Sequence, residues 1–184
     1  MSDGDRLRVL VIGAHPDDCE FNAGGIAALY AERGHLVRFV SVANGNGGHY
    51  EMGGAALARR RREEARRAAA VIGIESQVLD NDDCEIMPTL ELRKDIIRLI
   101  REFQPDIIMT HRPTDYHPDH RYTSQVVQDA AYTLTVPNAV PLTDHMMRNP
   151  VILYLNDHIE RVPLQPDIAV DITSVIEKQL DMLH

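Results

Sequence analysis

The period of the hydrophobic pattern changes repeatedly along the chain, and each change marks an element. Arg8 to Gly13 (RVLVIG) is short, nearly all apolar and rich in β-branched residues, which predicts a strand buried on both faces. Glu20 to Arg33 carries Ile26, Leu29 and Tyr30 at helical spacing, and Gly34 supplies a C-terminal stop. Leu36 to Val42 reads as the next strand, followed by a glycine-rich loop from Asn44 to Gly54. An arginine-rich helix then runs from about Ala55 to Ile72 and ends at Gly73. Ser76 to Leu79 predicts a short strand, and Thr89 can cap a helix from Leu90 to Phe103 with Leu92, Ile96, Leu99 and Ile100 as its apolar stripe. Asp106 to Thr110 returns to strand, His111 to Asp119 is loop, and residues 120–134 are helical in pattern. A last strand is expected near Val151 to Leu155, and Thr173 to Leu183 again has helical spacing. Strand and helix alternate, so the fold class is α/β with a mostly parallel sheet in three layers.

Composition narrows the function classes. The 184 residues show no repeat, low-complexity segment or linker, so residues 1–184 read as a single domain, 44% apolar and 26% charged. The longest apolar stretches, Val9 to Ile12 and Ala68 to Ile74, fall far short of the roughly 20 residues a bilayer requires. No membrane span is expected. Met1 to Arg8 is polar with no apolar segment behind it, which favours the cytoplasm. Cys19 and Cys84 are too few for a disulfide framework and read as reduced thiols. With 28 acidic against 19 basic side chains the formal charge is -9, which argues against a nucleic-acid partner. The nine histidines are the informative residues.

In open parallel sheets ligands bind beyond the carboxyl ends of strands, which directs attention to the loops after Gly13 and Thr110. The first reads Ala14-His15-Pro16-Asp17-Asp18, and the second runs from His111 through His117-Pro118-Asp119-His120. Each proline suits a helix start, where a missing N–H costs little. His15 and Asp18, three residues apart, can face one side while Asp17 points elsewhere. His117 and His120 repeat the spacing, and either could complete a set of two imidazoles and a carboxylate with an open fourth position, the arrangement of catalytic zinc. Zinc lowers the pKa of a bound water toward roughly 7 and polarises a carbonyl, so a nearby carboxylate can finish the deprotonation. Asp17 is the candidate base, and the spare histidine could stabilise an oxyanion or protonate a leaving amine. The competing reading makes Asp17 and Asp18 helix caps and the second pair of histidines surface residues. Two His-Pro-Asp clusters on converging loops outweigh it. No dinucleotide or P-loop glycine motif, H-E-x-x-H, base-deaminase signature or G-x-S-x-G elbow is present in the sequence.

These motifs resemble the LmbE/PIG-L family of zinc-dependent N-acetylglucosaminyl de-N-acetylases. The resemblance rests on AHPDDCEFNAGG at Ala14 to Gly25 and HPDH at His117 to His120, supported by Arg61-x-x-Glu64, PDIIMTH and PDIAVDIT. It implies a Rossmann-like fold, zinc held by His15, Asp18 and His120, and Asp17 as general base. It further implies that His117 stabilises the oxyanion or assists the departing amine, with Asp119 as its orienting partner, and that Arg61 and Glu64 lie near substrate. The implied reaction is hydrolysis of an acetamide on a small-molecule amino-sugar conjugate to acetate and a free amine. A hydratase acting on an unsaturated acid is the enzyme alternative, and a non-catalytic sugar- or metal-binding domain the other. A homo-oligomer is left open. The family usually continues past the DIT segment, whereas this chain stops at His184, so residues missing at the C-terminus are also left open.

The remaining signals are weaker. His111, Arg112 and Tyr116 are candidates for substrate contact, and the other helix arginines for solvated ion pairs. The loop from Asn44 to Gly54 is either a mobile lid or a plain connection. Asp82 and Asp83 read as loop acids, with a place on the site rim as the alternative, and Cys19 as an inert side chain, since a fourth protein ligand would close the metal site. His35, His49, His145, His158 and His184 are assigned ordinary surface or packing roles.

Overall fold

The first strand, β1 (Arg8–Gly13), has the expected bounds and pairs in parallel with a strand on either side. A computed structural model describes residues 6–156, 163 and 165–184; His158 lies outside them. After β1 come α1 (Asp18–Glu32), β2 (Leu36–Ala43), α2 (Gly54–Val71), β3 (Glu75–Asn81), α3 (Leu90–Phe103), β4 (Ile107–His111), α4 (Pro118–Ala131), β5 (Val151–Leu155) and α5 (Ile176–Leu183). The five strands form one sheet in the order β3-β2-β1-β4-β5, and every described pairing is parallel. The sheet expected to be mostly parallel is therefore wholly so.

Alternation along β1 builds the two cores. Val9 and Val11 face one side with Ala23, Ala27 and Ala68 of α1 and α2 and Met182 of α5. Leu10 and Ile12 face the other, against Leu92, Ile96 and Ile100 of α3 and Val126, Val127 and Ala130 of α4. Thr89 caps α3 as its sequence predicts, accepting from the Leu92 N–H at 3.2 Å. The helix expected over residues 120–134 begins at Pro118, and a 3-10 turn covers Tyr132–Thr135. Likewise the segment from Thr173 is first a 3-10 turn and becomes α-helical at Ile176.

Close approach explains three glycines. A Cβ on Gly13 would sit 2.7 Å from Asp18 Cβ, so β1 can meet the start of α1 only without a side chain. Cβ atoms on Gly24 and Gly25 would lie 2.8 Å from Met182 and 2.7 Å from Ile172, which is how α5 and the chain leading to it seat on α1.

The chain winds outward from β1 through β2 and β3, then crosses to β4 on the other side of β1. The loops after β1 and β4 thus flank the point where strand order reverses, the position at which such sheets bind ligands. Among the described residues, no helix is long and apolar enough to cross a membrane.

Candidate metal centre and its cavity

The loop after β1 turns so tightly that Asp17 adopts φ 150, a backbone rarely tolerated outside glycine. Asp17 occupies the N-cap position of α1 yet makes no capping hydrogen bond with its side chain, so the capping explanation fails for it. Its carboxylate instead meets Arg61 Nη2 at 2.5 Å and is 54% exposed toward the cavity. Crowding by protein and the charge of Asp18 push the Asp17 pKa up, against the pull of Arg61. The next residue, Asp18, is buried in the first turn of α1.

The loop after β4 supplies the opposing wall. Pro118 begins α4 and His117 caps it, the His117 Nδ1 accepting from the Asp119 N–H at 3.1 Å. That bond places the proton of the neutral ring on Nε2, a donor. Desolvation and the charges of His15 and His120 lower the His117 pKa, which favours this neutral form.

His15, Asp18 and His120 bring three ligand atoms within 4.8 Å of one another. His15 Nδ1 lies 3.4 Å from Asp18 Oδ2, and His120 Nε2 lies 3.4 Å from Asp18 Oδ1. The other nitrogen of each ring has a carboxylate partner: His15 Nε2 meets Asp119 Oδ2 at 3.0 Å, and His120 Nδ1 meets Asp115 Oδ1 at 2.9 Å. Such outer carboxylates hold a proton on the outer nitrogen of each ring, so that in the neutral form the inner nitrogen beside Asp18 has its lone pair free for a metal. The donor set and its support therefore fit a divalent metal. Two other triads, His15–His117–Asp119 and His111–Asp115–His120, overlap the first. Burial opposes the charged form of His15, but hydrogen bonding and charge from Asp18 and the bond to Asp119 raise its pKa to about 9. Burial likewise opposes ionised Asp18, yet the His111 and His15 imidazoles beside it hold it well below the usual carboxylate range.

Several expectations change here. Asp119, expected to orient His117, meets it through its backbone N–H, while its carboxylate is directed to His15. His111 is not a substrate contact: it is buried, accepts from the Ala14 N–H at 3.0 Å and stacks on His120 with ring centroids 3.9 Å apart. Arg112 is 4% exposed and is not among the residues lining the cavity, whereas Tyr116 lines it. The glycine-rich loop is pinned, because Asp83 accepts from the Gly45 and Gly47 N–H groups at 2.9 and 3.1 Å. Asp82, read as a plain acid, accepts from the Asn44 and Asn46 side chains. Asp115 was missed altogether; the signal was that a second ligating histidine also needs a carboxylate behind it.

The centre opens into a cavity of about 880 Å³ that also reaches Glu20, Phe21, Glu64 and Asp83. Arg61 donates to Glu64 at 3.1 Å as well as to Asp17, so it braces the candidate base. The exposed arginines Arg60, Arg66 and Arg67 form the ion pairs with Glu63 and Glu64 that helical spacing predicts. Burial, with Asp17 and Asp18 close by, pushes Glu20 up to about 7. Cys19 is buried and donates weakly to the Val11 and Val40 carbonyls, in keeping with an inert role.

The family model for PIG-L, the GlcNAc-PI de-N-acetylases, matches residues 10–131, a span that contains every residue of the centre. The chain belongs to the PIG-L family. This PIG-L chain is 33% identical over 187 residues to the diacetylchitobiose deacetylase of Thermococcus kodakarensis, covering 96% of the chain and 67% of that relative. It is 29% identical over 178 residues to the 4-oxalmesaconate hydratase of Pseudomonas putida, covering 92% of the chain and 69% of the relative. Among solved structures, it superposes on the N,N'-diacetylchitobiose deacetylase of Pyrococcus horikoshii with TM-score 0.87 and 28% identity, over 98% of this chain and 69% of that one. A deacetylase and a hydratase are thus both similar to this chain over nearly all its length.

Proposed function

We propose that this chain is a zinc-dependent hydrolase that removes the N-acetyl group from an N-acetylglucosaminyl-type conjugate. The observation carrying this reading is that the Asp17 carboxylate, which is outside the His15–Asp18–His120 donor set, lines the same cavity as that set. His15, Asp18 and His120 would hold one zinc ion per chain, which would supply a Lewis acid for the amide oxygen and lower the pKa of water. Asp17 takes the proton from the water that adds to the acetyl carbon. The His117 Nε2–H donates to the carbonyl oxygen as its charge develops. When the carbon–nitrogen bond breaks, the proton held on Asp17 passes to the departing amine, leaving acetate and a free amine. Asp119 and Asp115 hold the two ligating rings, while Arg61 braces Asp17. Glu64 and Tyr116 stand on the cavity wall for the sugar. Two unpaired thiols, Cys19 and Cys84, fit the reducing cytoplasm.

The hydratase relative gives the second reading its specific support. One experiment separates the two: acetate release from N-acetylglucosaminyl conjugates, measured beside water addition to unsaturated carboxylic acids. Acetate release is expected to disappear on chelation and return with zinc. Turnover of the unsaturated acid alone would replace the deacetylase reading.

The raised pKa of His15 gives a further expectation. Below about 9 the metal-free ring holds a proton that a metal must displace. Apparent zinc affinity should therefore rise about tenfold per pH unit from pH 7 and level off as the pH passes the His15 value. Calorimetry in buffers of different ionisation enthalpy should count the released proton, and an affinity flat between pH 7 and 8.5 would contradict it.

A further inference from the structure

We propose that the backbone N–H of Cys84, presented by a left-handed turn after β3, positions the metal site by fixing the Asp119 carboxylate behind His15. The inference rests on the reading of His15 as a metal ligand. Asp119 Oδ2 receives two donors, the Cys84 N–H at 2.7 Å and His15 Nε2 at 3.0 Å. Asp119 itself is 1% exposed, so the bond lies in a poorly solvated place where direction matters.

Cys84 has φ 64, a conformation that non-glycine residues avoid. Strain of this kind persists where surroundings over-determine it, and here they do. Asp83 accepts from Gly45 and Gly47 and donates its own N–H to Asn46 Oδ1 at 3.0 Å. The Glu85 N–H closes the turn onto the Asp82 carbonyl at 3.3 Å. Clamped on both sides, the turn leaves the Cys84 N–H one direction, toward Asp119. The side chain of Cys84 is exposed and plays no part in the argument. With Oδ2 held, Asp119 keeps the His15 proton on Nε2 and the Nδ1 lone pair on the metal side.

Cobalt(II) binding to purified apoprotein tests this, with affinity and the visible d–d band as readouts. Cys84→Gly keeps the N–H and relieves the positive φ, so affinity and band should match the unaltered protein within about twofold. Cys84→Val keeps the N–H but resists the turn, and should bind several-fold more weakly. Cys84→Pro removes the N–H and should weaken binding by about 10–100-fold with a shifted band. A folded Cys84→Pro protein with unchanged affinity and band overturns the proposal, as does a Cys84→Gly protein as weak as the proline variant. If Cys84→Pro does not fold, equal binding by the glycine and valine variants overturns it. His120→Ala is the control for the ligand reading: undiminished cobalt binding there would locate the failure in the ligands and not in the turn.

Discussion

Asp17→Asn is expected to lower acetate release by about 10²–10⁴-fold while metal content stays at its normal level. The substitution keeps the shape of the side chain and an oxygen that can still accept from Arg61, which meets Asp17 at 2.5 Å. It removes only the capacity to take up a proton. Asp17 is not in the His15–Asp18–His120 set, so metal retention follows from the geometry. Position matters as much as chemistry: Asp17 has the unusual φ of 150, makes no helix-capping bond with its side chain and directs its carboxylate to Arg61. A residue needed only for that turn would be replaced by glycine without loss, whereas Asp17→Gly should be as inactive as the asparagine variant. His120→Ala should show the complementary pattern, with metal and activity lost together. Undiminished turnover in metal-loaded Asp17→Asn would remove Asp17 from the mechanism.

What the sequence makes legible is local. RVLVIG announces a doubly buried central strand because its burial depends on six consecutive residues, and α3 announces its bounds through the Thr89 cap. The two His-Pro-Asp loops can be placed together because the alternation of strand and helix puts both at one end of the sheet. Partner choice inside the site is another matter. Asp119 reaches a histidine 104 positions away instead of its near neighbour, and the Cys84 N–H meets Asp119 across 35 positions. Those pairings depend on how three loops settle against one another, which no spacing rule encodes. The glycine loop shows the same limit. Its composition suggests mobility, yet Asp83 ties it down through backbone N–H groups that any sequence would possess.

Arg101→Met is expected to destabilise the fold by on the order of 3 kcal/mol, although Arg101 lies outside the site. On α3 the residue reads as one more polar side chain beside Ile100, yet it is 2% exposed. Its guanidinium spends all five donors on carbonyls of the segment after α4. Nε donates to Leu134 at 3.1 Å, Nη1 to Val140 and Thr143 at 2.9 and 3.1 Å, and Nη2 to Thr133 and Val136 at 2.9 and 2.7 Å. Desolvation pushes its pKa down, but a guanidinium keeps its charge. One side chain thus satisfies five carbonyls of a stretch with little regular structure of its own. Methionine matches the stem and offers no donor, so those carbonyls must find water or stay unpaired. Arg101→Lys keeps the charge but has three donors and no planar fork, and should recover only part of the loss. None of the residues 132–146 lines the cavity, so folded Arg101→Met protein at low temperature should bind zinc normally. Chemical denaturation should show the lowered midpoint, and limited proteolysis should open the chain between residues 132 and 146. A variant within about 0.5 kcal/mol of the unaltered protein would mean that water replaces the guanidinium at little cost.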